Sequence, residues 1–99
     1  MKDKQKLFNE LPRGTQLRVI DYLLYFDEIH LTLEHGLYQV NVDMVLKTKY
    51  PDDYKYIGSF KFEDIFPTYQ ERKNIRDERE NFLKTISYEE LENYYKSIN

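Results

Sequence analysis

From Ile29 to Val42 the apolar residues fall on alternate positions, at 29, 31 and 33 and again at 38, 40 and 42. Period two is the spacing of a β-strand, whose successive side chains point to opposite faces. The two runs are separated by Glu34-His35-Gly36-Leu37. His35-Gly36 suits a two-residue hairpin turn, because glycine accepts positive φ without strain and histidine is among the residues enriched there. That turn fixes the register. Glu34 opposes Leu37, Leu33 opposes Tyr38, Leu31 opposes Val40 and Ile29 opposes Val42. Thr32 with Gln39, and His30 with Asn41, fall on the other face. A slip of one residue would turn the apolar set to the wrong side.

The same reasoning extends in both directions. With Asp27-Glu28 as a second two-residue turn, Phe26 meets Ile29, Leu24 meets Leu31 and Tyr22 meets Leu33. With residues 51–53 as a three-residue loop, Tyr50 meets Tyr54, Leu46 meets Gly58, Met44 meets Phe60 and Val42 meets Phe62. The pattern therefore predicts a four-stranded antiparallel meander over residues 16–26, 29–34, 37–49 and 54–63. A competing helix over 16–26 gathers Leu17, Val19, Leu23 and Tyr25, but it leaves the later alternation without a partner strand.

Elsewhere the period is helical. Leu7, Phe8 and Leu11 mark a short N-terminal helix that stops at Pro12 and Gly14. Thr68-x-x-Glu71 and Ser87-x-x-Glu90 are capping boxes, each opening a helix. The first runs to about Thr85, with opposite charges four apart at Lys73/Asp77, Arg76/Glu80 and Glu80/Lys84. Its apolar stripe is Ile75, Phe82, Leu83 and Ile86, and that of the last helix is Leu91, Tyr94 or Tyr95, and Ile98. The expected fold is α+β, a single domain over residues 1–99, with one short N-terminal and two C-terminal helices packed on one face of the sheet.

Composition narrows the function. The chain has no cysteine, which removes disulfides and thiolate metal sites. Its longest run of large apolar residues is residues 22–26, far below the ~20 needed to span a bilayer. Residues 1–11 lack the apolar stretch of a secretory signal, so a cytoplasmic location is expected. The net charge of −3 is distributed in blocks. Residues 1–26 carry five bases against three acids, and residues 47–61 carry four against two. Residues 27–46 carry four acids and no base, and residues 62–99 carry nine acids against six bases. That balance excludes a generally basic nucleic-acid binder but leaves a local basic patch.

Few residues suggest chemistry. His30 and His35, five apart, alternate to opposite faces of the hairpin and do not share a metal. No Gly-rich phosphate loop and no cofactor motif occurs, and Ser87 is spoken for as an N-cap. Asp21, Glu34 and Asp43 would gather on one sheet face, where three carboxylates could hold a divalent ion, so a metal-dependent enzyme is one reading. Lys47, Lys49 and Lys55 interleave with Tyr50, Tyr54 and Tyr56, a pattern that suits single-stranded nucleic acid, although Asp52 and Asp53 sit at the tip.

The leading expectation is a non-enzymatic protein-interaction module without cofactor, and without a membrane. An intracellular inhibitor or regulator carried by a mobile element is a role that suits so small a chain. The second sheet face is expected to expose Leu17, Val19, Leu23, Tyr25 and Val45 beside His30 and Thr32. Partner contacts are assigned to Leu23, Tyr25, His30, Val45, Tyr50 and Tyr54, with an acidic surface at Glu89, Glu90 and Glu92. The partner is another protein or a second copy of the chain.

Overall fold

The structure, a computed structural model, describes residues 3–42 and 55–98. Among the described residues, five helices and three strands follow one another: α1 (Lys4–Asn9), α2 (Arg13–Leu23), β1 (Glu28–Glu34), β2 (Leu37–Asn41), β3 (Lys55–Lys61), α3 (Phe62–Ile65), α4 (Tyr69–Leu83) and α5 (Tyr88–Ser97). The fold is α+β with a three-stranded antiparallel sheet in the order β2-β1-β3.

Five of the six predicted hairpin pairs form, and the sixth, Ile29–Val42, is not made because β2 ends at Asn41. His35 and Gly36 have φ of 51° and 79°, so both turn residues are left-handed. The observed pairs run His30–Asn41, Leu31–Val40, Thr32–Gln39, Leu33–Tyr38 and Glu34–Leu37. Both capping boxes form as well, with the Thr68 hydroxyl accepting from the Glu71 amide at 3.1 Å and the Ser87 hydroxyl from the Glu90 amide at 3.2 Å. The Lys73–Asp77 and Arg76–Glu80 pairs lie along α4 at 3.1 and 3.6 Å.

Two strand expectations are corrected. Residues 16–26 do not form a strand, because Arg13–Leu23 is helical. A strand there would leave apolar side chains on both faces, Leu17, Val19 and Leu23 on one and Ile20 and Leu24 on the other. A helix places all five within one wide arc, and all five are buried. The second correction concerns β3. It pairs with β1, not with β2, through Glu28–Lys61, Ile29–Phe60, His30–Ser59, Leu31–Gly58, Thr32–Tyr56 and Leu33–Lys55. Phe62, expected opposite Val42, instead begins α3. The proposed pairs at Met44, Leu46 and Tyr50 and the loop at 51–53 lie outside the described residues.

The core draws on every layer of the chain. Phe8 and Leu11, then Leu17, Val19, Ile20, Leu23 and Leu24, meet Ile29, Leu31, Phe60, Phe62, Ile65 and Tyr95 in one buried cluster. Phe8 meets Phe60 edge-on at 6.3 Å between centroids. Gln16 fixes the turn between the first two helices. Its side-chain amide donates to the carbonyls of Phe8, Asn9 and Leu11 at 3.1–3.2 Å, which satisfies the end of α1.

Candidate functional site

The residues expected to carry chemistry are dispersed by the fold. Asp21 does not face Glu34 across a sheet. It lies in α2, 4% exposed, and its carboxylate accepts two hydrogen bonds of 2.8 Å from Arg79 in α4. The Tyr95 hydroxyl of α5 donates to the same carboxylate. Arg18 completes the cluster, its guanidinium 4.7 Å from the Tyr95 ring centroid and 3.0 Å from Glu92. Burial, and then the hydrogen bond to Asp21, push the Tyr95 phenol far above its ordinary range. The bonds that Arg79 donates to Asp21 likewise raise the pKa of its guanidinium, against the effect of burial. Asp21 is therefore ion-paired and sealed from solvent, the reverse of a carboxylate poised to bind an ion. Glu34 stands at the hairpin tip beside His35, and Asp43 lies outside the described residues. Among the described residues no three acidic, histidine or cysteine side chains stand close enough to hold a metal ion.

His30 is half-buried, its Nδ1 3.4 Å from the Tyr56 hydroxyl, whereas His35 is exposed on the turn. The apolar second face also needs correction. Leu17, Val19 and Leu23 are 4%, 0% and 3% exposed, so these three are core residues, not a docking patch. Tyr25 is 69% exposed and remains available. Val45, Lys47, Lys49, Tyr50 and Tyr54 lie outside the described residues, and Lys55 is exposed at the start of β3. Glu89 and Glu90 open α5, where Glu90 is engaged by its capping box, and Glu92 is paired with Arg18. No helix among the described residues is long and apolar enough to cross a membrane.

What the fold adds is a contrast between its two sheet edges. A two-residue turn makes Glu34–Leu37 a hydrogen-bonded pair, and the pairs then alternate. Leu37, Gln39 and Asn41 direct their peptide groups to β1, and Tyr38 and Val40 direct theirs to the outer edge. Exposed edges invite pairing, and proteins blunt them with lysine, proline or bulges. The β3 edge has such guards. Ile57 is an extra residue in the ladder, and Lys55, Gly58 and Lys61 share the strand. Strand β2, Leu-Tyr-Gln-Val-Asn, carries no charge, no proline and no bulge. Leu37 at its start and Val42 just past its end are 64% and 45% exposed.

A cleft of about 460 Å³ runs beside the first half of β2, bounded by Gly36 to Gln39, the first turns of α2, and Glu92 and Lys96 of α5. The signal for this region was present in the sequence as an uncharged run from Leu37 to Val42, in a chain that is one-third charged. No family model, curated protein or solved structure matches this chain.

Proposed function

We propose that the protein is a non-enzymatic interaction module that docks an extended segment of a protein partner on the outer edge of β2. The supporting observation is the asymmetry of guarding: β3 is bulged and carries lysines, whereas β2 presents the peptide groups of Tyr38 and Val40 along an uncharged strand. Backbone pairing supplies affinity in such docking, and flanking side-chain pockets supply selectivity. Exposed Leu37 and Val42 would frame the added strand. Asp21, the one buried carboxylate among the described residues, is fully engaged by Arg79 and Tyr95, which favours binding over acid–base chemistry.

The test is Val40→Pro. Its N–H points outward, so proline removes a docking donor without removing a β1–β2 bond, and proline is tolerated on an edge in that setting. The full chain is used to select from random heptapeptides, presented both at the free C-terminus of a carrier and embedded within it. Selected peptides should bind Val40→Pro about tenfold or more weakly, with the thermal melt of the variant close to the parent. Val42→Lys, a guard of the kind found on β3 placed away from the cleft, should weaken binding too. No selected peptide, or equal binding by both variants, would refute the proposal.

A further inference from the structure

The cleft beside β2 contains two donors with no partner among the described residues. Thr15 is 6% exposed, lines the cleft, and its hydroxyl has no hydrogen-bond partner among the described residues. A buried hydroxyl left in that condition normally finds a partner. Lys96 lines the opposite wall, and its ammonium has no ion-pair partner among the described residues. Arg18 adds a second cation, already shared with Glu92 at 3.0 Å, so the cleft keeps one net positive charge. Pro12 stands at the N-cap of α2 with no side-chain cap, so the positive end of that helix dipole also borders the cleft. Together these features call for an anion.

Position along β2 says where that anion comes from. The cleft lies at the Gly36–Gln39 end, the start of β2. A strand added antiparallel to β2, the commoner pairing, ends its own chain there. We infer that the cleft receives the C-terminal carboxylate of the extended peptide that adds to β2, an inference that rests on the docking reading above. Thr15 and Lys96 would donate to the carboxylate, and Tyr38 would contact the last side chain.

Selected heptapeptides are made in three forms: free C-terminus, C-terminal amide, and C-terminal amide with glutamate as the last residue. The free acid should bind the full chain about tenfold or more tightly than either amide. Lys96→Ala and Thr15→Val should each shrink that difference while leaving binding of the amides unchanged. Equal binding of acid and amide, rescue by the glutamate side chain, or a difference that survives in both variants would overturn the carboxylate site. The docking reading fails separately. If all forms bind equally and only Val40→Pro weakens them, docking stands and the carboxylate site falls. If no form binds, both fall.

Discussion

Arg79→Ala should destabilise the protein by about 3–5 kcal/mol, because removing one partner of a buried ion pair strands the other charge. A domain of this size holds only about 5–15 kcal/mol in total, so a denaturant melt should show a severe loss. Asp21 is 4% and Arg79 5% exposed, and two 2.8 Å bonds join them across 58 residues of sequence. Water cannot replace the lost guanidinium without opening the contact between α2 and α4. Replacing the whole cluster at once, as Asp21→Leu with Arg79→Met and Tyr95→Phe, should recover much of the loss, since no buried charge remains. A triple variant no more stable than Arg79→Ala would mean that the pair acts through packing alone.

The same cluster sets an alkaline limit. The Tyr95 phenol is held far above its ordinary value of 10.0 by burial and by the bond it donates to Asp21. The unfolded chain therefore releases this proton at a lower pH than the folded one. Its contribution to stability is intact below about pH 10 and is lost as pH rises above that. Tyr95→Phe should be less stable at neutral pH, where it lacks the hydrogen bond. It should also lose less stability than the parent between about pH 9 and 11, the range around the phenol's unfolded pKa.

The second large effect belongs to Phe60→Ala, expected to cost about 3–5 kcal/mol. Phe60 is fully buried, opposes Ile29 on β1 and meets the Phe8 ring edge-on. Alanine leaves a cavity where α1 and the sheet meet. Phe60→Leu should cost much less, since it keeps most of the volume. A melt in which both variants match the parent would place Phe60 outside the core and refute the β1–β3 register.

What could be read from the sequence was local. The His35-Gly36 turn, five of the six predicted hairpin pairs and the two capping boxes appear in the structure, and each depends on residues within about twelve positions; the outermost pair, Ile29–Val42, does not form. Residues 16–26 were ambiguous because Leu17, Val19 and Leu23 satisfy period two while Ile20 and Leu24 complete a helical arc. The apolar second face was the symptom of choosing period two. The position of β3 beside β1 depends on a crossing that no turn residue specifies. Asp21, Arg79 and Tyr95 come together over 58 and 74 residues, and nothing in their local surroundings marks them as partners. The candidate site was half legible. Its uncharged strand can be seen in the sequence, but Thr15, Arg18 and Lys96 reach the cleft only through tertiary packing.

The central claim is that the outer edge of β2 stands open in the isolated protein. Amide hydrogen exchange of the full chain, read residue by residue, tests it most directly. Leu37 sits next to the turn, so the informative residues are Tyr38, Gln39, Val40 and Asn41. Slow exchange is expected at Gln39 and Asn41, whose amides bond to β1, and fast exchange at Tyr38 and Val40 between them. Uniform protection across all four would contradict it, because the edge proposed as a docking site would already be occupied.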